Sequence, residues 1–166
     1  MSYRSSMESP RPLLYLAAPL FTESERLFNT TVKQTVQCAF DVYLPQEDGG
    51  LMVDMIRDGM TPCDAAQIVF AGDVRAIDRC DVLLIVLDGR TVDEGASFEL
   101  GYAYSKHKTC YALQTDPRRL LQTGNNPMID GACTKVFTSL EELTVWAVSL
   151  AGMESPQTIA PVSAYP

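Results

Sequence analysis

Short apolar runs that barely alternate are separated along the chain by stretches with helical spacing, the pattern of a parallel sheet covered by helices. Leu13 to Ala17 reads as a first strand, buried on both faces because no charged residue interrupts it. Thr22, with Glu25 three residues on, is a capping box, so a helix is predicted to begin there and run toward Ala39. Asp41 to Leu44 reads as a second strand and Pro45 to Gly50 as loop, while Leu51 to Gly59 is ambiguous between the two periods and stays undecided. Thr61, Pro62 and Asp64 supply a cap, a first-turn proline and an acid near the positive helix end; the helix they open is predicted to reach about Arg79. Val82 to Leu87 is the clearest buried strand, and Asp88-Gly89 breaks it. A helix from about Gly95 to Lys106, a strand at Cys110 to Gln114, a short strand at Lys135 to Phe137 and a helix opened by Ser139 and Glu142 to about Leu150 complete the pattern.

The 166 residues fit one domain large enough to bury a core unaided. Residues 1–12 read as a disordered arm, 13–151 as the folded domain, and 152–166, rich in Pro, Ser and Thr, as a tail that a neighbouring subunit could hold. A formal net charge of −8 argues against a basic face for nucleic acid or anionic lipid. The longest apolar stretch, Leu13 to Phe21, is too short to span a bilayer and contains Pro19. Five scattered cysteines without a C-x-x-C pair favour neither a disulfide framework nor a zinc site. With no apolar leader in residues 1–12, the expected compartment is the cytoplasm, and no membrane, metal or cofactor is expected.

In an open parallel sheet, ligands bind beyond the carboxyl ends of the strands. Three such exits are chemically unusual. The first leads into Ala17-Ala18-Pro19-Leu20-Phe21, with Tyr15 just inside. The third leads from Asp88 to Glu99, and the fourth into a polar loop holding Asn125-Asn126-Pro127. Asp93 is a natural helix cap. At helical spacing Gly95, Glu99, Tyr102 and Ala103 share a face, and Gly95 leaves room for a ligand just above the Glu99 carboxylate. The positive helix end is expected to favour ionised Glu99, as covalent attack on a sugar carbon requires. His107, the only histidine, sits at a helix end between lysines and offers no triad.

The segment Tyr15-Leu-Ala-Ala-Pro-Leu-Phe-Thr22, the run from Gly72-Asp73 through Cys80-Asp81, and Glu94-Gly-Ala-Ser-Phe-Glu-Leu-Gly-Tyr-Ala103 resemble the nucleoside 2-deoxyribosyltransferase family, as does Asn126-Pro-Met128. The resemblance spans about Leu13 to Leu150. It implies a single-domain, flavodoxin-like α/β fold: a five-stranded, mainly parallel sheet with helices on both faces. It also implies base exchange by double displacement through a covalent 2-deoxyribosyl-glutamate. The family's nucleophile falls on Glu99, the tyrosine orienting it on Tyr15, and the aspartate managing the proton of the leaving base on Asp73. The residue holding the sugar 5′-hydroxyl falls on Asp93. The asparagine lent by an adjacent subunit falls on Asn126, so a homo-oligomer is implied, with 2′-deoxynucleosides and free nucleobases as small-molecule partners. Phe21 is a candidate stacking wall for the base, and Gln46 a candidate base contact.

Two rivals bracket this expectation. A deoxynucleoside 5′-monophosphate N-glycosidase on the same fold needs a group receptive to phosphate where this chain has Asp93, and a carboxylate repels one. A non-catalytic nucleoside sensor needs no nucleophile, so the joint presence of Tyr15, Asp73, Asp93 and Glu99 speaks against it.

Overall fold

Side chains of the central strands alternate between two faces of a sheet, and both faces are buried. In a computed structural model describing residues 10–118 and 124–152, Leu14 and Leu16 face one side of a sheet, and Tyr15 and Ala17 the other. The strands are β1 (Leu13–Ala17), β2 (Asp41–Tyr43), β3 (Val82–Val86), β4 (Thr109–Leu113) and β5 (Lys135–Phe137). All pair in parallel, in the order β2-β1-β3-β4-β5. That is the flavodoxin-like order, with its topological switch between β1 and β3.

Helices α1 (Glu23–Val36) and α7 (Leu140–Leu150) cover one face, where Leu16, Leu84, Val36, Phe137 and Ala147 are buried together. Helices α4 (Pro62–Arg79) and α5 (Glu94–Ser105) cover the other, over Ile77, Leu83, Ile85, Leu100 and Ala112. Three short helices, α2 (Pro45–Asp48), α3 (Met52–Arg57) and α6 (Pro127–Ala132), lie in the connections. Two of them change the sequence reading. Pro45 to Asp48 is a helical turn rather than loop, and Asn126-Pro127 opens α6 instead of lying in a loop. The undecided segment 51–59 holds α3.

The predicted caps form. Thr22 accepts from the Glu25 amide while the Glu25 side chain accepts from the Thr22 amide; Thr61 and Ser139 cap α4 and α7. Thr22→Ala is expected to cost about 1 kcal/mol of stability, seen as a lower urea midpoint at unchanged slope. Arg11, inside the predicted arm, pairs with Asp41 at 3.0 Å and donates to the Gln37 carbonyl. Residues 1–9 of that arm and 153–166 of the tail lie outside the described residues. Cys80 and Cys110 are buried and Cys63 is exposed, while His107 sits exposed at the end of α5 with φ +58°.

Candidate active site

Because Tyr15 projects to the α5 side of β1, its hydroxyl meets Glu99 in the second turn of α5 and donates to Oε1 at 2.6 Å. This contact joins residues 84 positions apart across the switch point. It engages Oε1, one of the two carboxylate oxygens. Beside it opens a cavity of about 250 Å³, lined by Glu99, Asp73, Asp93, Gly95, Phe21 and apolar residues that include Leu20, Leu51, Met52 and Val69. Among the described residues, no Lys, Arg or His side chain lines it.

Each acid comes from a different device. Asp93 is the N-cap of α5, its Oδ1 accepting from the Ala96 amide at 2.8 Å. Gly95 lies against it, since a Cβ there would stand 3.1 Å from Asp93 Oδ1. Asp73 projects from α4, where Tyr43 donates to its Oδ1 at 3.4 Å. Phe21, on the turn before α1, is 76 % exposed at the cavity rim, not a core aromatic.

Burial decides the electrostatics. It pushes Glu99 up to about 8; the Tyr15 hydrogen bond pulls the other way, and the charges of Asp73 and Asp93 push further up. The expectation of an ionised Glu99 is therefore corrected for the empty site. The helix end is too far along the chain to offset desolvation, and the carboxyl holds its proton near neutrality. Asp73 is raised as well, chiefly by burial and against the Tyr43 hydrogen bond. The Tyr15 hydroxyl is driven far above its usual value by burial and by Glu99, so it is a fixed donor.

The structure thus brings together Tyr15, Glu99, Asp73, Asp93, Gly95 and Phe21. Two sequence candidates lie elsewhere. Gln46 turns away from the cavity toward α1, accepting from Asn29 Nδ2 at 3.0 Å and donating to the Arg26 carbonyl at 3.0 Å. Its amide is spent on holding α2 to α1. Asn126 caps α6, accepting from the Met128 amide, and lines a separate cleft with Ser97, Gln114 and Met128. Ser97 donates to the Asp93 carbonyl rather than facing Glu99's cavity. Tyr102, placed on the Glu99 face by spacing, donates instead to Asp78 at 2.9 Å. One residue the sequence reading passed over, Tyr43, stands behind Asp73. Its only sequence signal is an aromatic residue at the carboxyl end of a strand.

No group of three or more His, Cys, Asp or Glu side chains is arranged to hold a metal among the described residues. No helix among them is long and apolar enough to cross a membrane.

Fold and cavity together define a flavodoxin-like α/β protein with a tyrosine-held carboxyl at the switch point of its sheet, walled by apolar residues. The family model described as Nucleoside 2-deoxyribosyltransferase matches residues 14–157, and the chain belongs to that family. Membership places it in the glycosyl-transfer and glycosidase class of enzymes, acting on small molecules. Among solved structures, a conserved protein from Enterococcus faecalis V583 is 25% identical, with a TM-score of 0.69 over 84% of this chain and 98% of that one. The 2-deoxyribosyltransferase of Bacillus psychrosaccharolyticus is 19% identical, with a TM-score of 0.68 over 87% and 98%. A 2-deoxyribosyltransferase from Leishmania mexicana is 22% identical, with a TM-score of 0.56 over 84% and 98%. The latter two likenesses are of fold. A search of curated proteins finds no match.

Proposed function

We propose that the chain is a nucleoside 2-deoxyribosyltransferase, exchanging the base of 2′-deoxynucleosides through a covalent deoxyribosyl ester on Glu99. The observation that carries this reading is the 2.6 Å bond from Tyr15 to Glu99 at the wall of an apolar cavity. A carboxylate fixed through one oxygen attacks with the other.

Glu99 Oε2 bonds to C1′ as the glycosidic C–N bond breaks. The bonding pair leaves with the base nitrogen, which takes a proton from Asp73. A second base then attacks C1′ from the vacated place and yields its ring proton to Asp73, and the ester C–O bond breaks to restore the Glu99 carboxylate. Two inversions retain the anomeric configuration, as in retaining glycosidases. Phe21 and the apolar wall take the base by stacking and contact, while Asp93, with Oδ1 engaged in its cap, offers Oδ2 to the 5′-hydroxyl. The chemistry calls on no cofactor.

Three acids around a cavity with no basic side chain among the described residues disfavour a 5′-phosphate, so the free nucleoside is the preferred substrate over the monophosphate. Asn126, outside its own chain's Glu99 cavity, fits a role at the site of a neighbouring subunit in a homo-oligomer. A cytoplasmic role in nucleoside salvage accords with free nucleosides and bases as substrates. The test is direct: incubate a deoxynucleoside with a different free base and look for the swapped nucleoside. Release of base without any swapped product, or turnover of the monophosphate alone, refutes the reading.

The protonation of Glu99 predicts the pH profile. Attack needs the carboxylate, which is held at about 8 in the free enzyme, so for a donor whose base departs as an anion, without a proton from Asp73, kcat/KM rises with pH through neutrality toward that value. Tyr15→Phe removes the one cause that lowers Glu99, so the acid limb moves to higher pH. The same change lowers kcat about tenfold because the carboxylate loses its orientation. A limb unmoved in the variant contradicts this assignment.

A further inference from the structure

Tyr43 ends β2 and is paired in register with Tyr15 on β1, so both rings project from the same face of the sheet. They stack with centroids 5.4 Å apart and an interplanar angle of 16°. Each hydroxyl then goes to a different acid, Tyr15 to Glu99 at 2.6 Å and Tyr43 to Asp73 Oδ1 at 3.4 Å. Gly49, just beyond α2, closes the Tyr43–Asp73 contact from outside. A Cβ there would lie 2.9 Å from the Pro45 carbonyl oxygen, 3.2 Å from Asp73 Oδ1 and 3.3 Å from the Tyr43 hydroxyl. Only a residue without a side chain lets the two groups approach there. Asp48 holds this corner, its Oδ2 accepting from the Leu44 amide at 2.8 Å.

We propose that Tyr43 is a positioning residue for Asp73, aiming its carboxyl into the cavity through a contact that Gly49 keeps open. Tyr43 does not line the cavity, so it acts through Asp73 and not on the ligand. The paired arrangement gives each working acid its own tyrosine, with the stacked rings holding both hydroxyls in one frame. The kinetic half of this proposal rests on the base-exchange reading, in which Asp73 passes a proton to and from the base.

The charged and titratable groups around Tyr43 are Asp73, Asp48, Arg79, Tyr15 and, through Tyr15, Glu99. Tyr43's own hydroxyl is raised to about 12, mainly by burial and then by Asp73, so it remains a donor across the working range. Its hydrogen bond favours the charged form of Asp73, against the larger effect of burial.

The test follows the carboxyl carbon of Asp73 by NMR during a pH titration of the full chain, its resonance assigned by loss in Asp73→Asn. Tyr43→Phe is expected to move the Asp73 midpoint upward by about half a unit to one unit. It should also lower kcat about threefold to tenfold with KM for the deoxynucleoside unchanged. Gly49→Ala, which keeps both groups but wedges a methyl between them, should move the midpoint the same way. An Asp73 midpoint unmoved in both variants overturns the proposal, and so does a pH–rate profile of Tyr43→Phe that superimposes on wild type. A shifted midpoint in a protein that performs no base exchange supports the Tyr43–Asp73 coupling and refutes the transferase reading instead, so the two failures are distinguishable.

Discussion

Replacing Glu99 by glutamine is expected to lower base exchange about 10³-fold or more while making the protein more stable in mildly alkaline solution. The loss follows from chemistry, since an amide oxygen cannot form the glycosyl ester. The gain follows from burial. Glu99 is held at about 8 in the folded chain against an ordinary value of 4.5, so the native state binds the extra proton between those limits. Stability contributed by this group is present below 4.5 and lost as pH rises through about 8. Glutamine does not titrate and still accepts the Tyr15 hydrogen bond. Its advantage over the wild type should therefore be near zero at pH 4.5 and largest above pH 8, on the order of 1–3 kcal/mol after allowance for partial solvent contact. Thermal unfolding at the two ends of that window reads it, at roughly 2–4 °C in Tm per kcal/mol. Equal Tm differences at both ends contradict the burial argument, and near-wild-type exchange by the variant contradicts the nucleophile.

This opposition between stability and chemistry explains why the sequence alone misjudged the state of Glu99. Its position after Asp93 and Gly95 is legible, and so is its share of a face with Gly95. What the linear chain does not show is the desolvation that arises when β1, α4 and α5 converge on it. A helix-end argument is local, whereas the decisive effect is tertiary. The same division runs through the fold. Caps at Thr22, Thr61 and Ser139 and the apolar runs at Leu13 and Val82 placed the main elements, because local chemistry and burial agree there. The short helices α2, α3 and α6 escaped because one or two turns show too little periodicity. For α6 the cue was nonetheless the one used for α4, a capping residue followed by proline, at Asn126-Pro127 as at Thr61-Pro62. Gln46 shows the reverse limit: a polar residue in a connection near the site looked available to a ligand, yet Asn29 and the Arg26 carbonyl claim its amide.

Asp73→Asn is the second large effect, and its sign on the pH profile is opposite to that of Tyr15→Phe. The Asp73 charge is one of the causes that raise Glu99, ranked after burial. Neutralising it should draw the acid limb of kcat/KM to lower pH, while Tyr15→Phe draws it higher. The maximal rate falls because asparagine has no proton to give the departing base, a loss of roughly 10²–10⁴-fold typical of removing a general acid. That loss should depend on the leaving group. A deoxyriboside whose base departs readily as an anion needs little help, so the variant should recover much of its rate with such a donor. Glu99→Gln should not recover, since no leaving group supplies a nucleophile. If Asp73 served only to hold the sugar, KM would rise and the rate deficit would be the same for every leaving base. The two acids share one local field, and a proton held by either changes the cost of ionising the other. A double variant, Tyr15→Phe with Asp73→Asn, should accordingly place its acid limb between those of the single variants, and a limb outside that interval would refute the coupling.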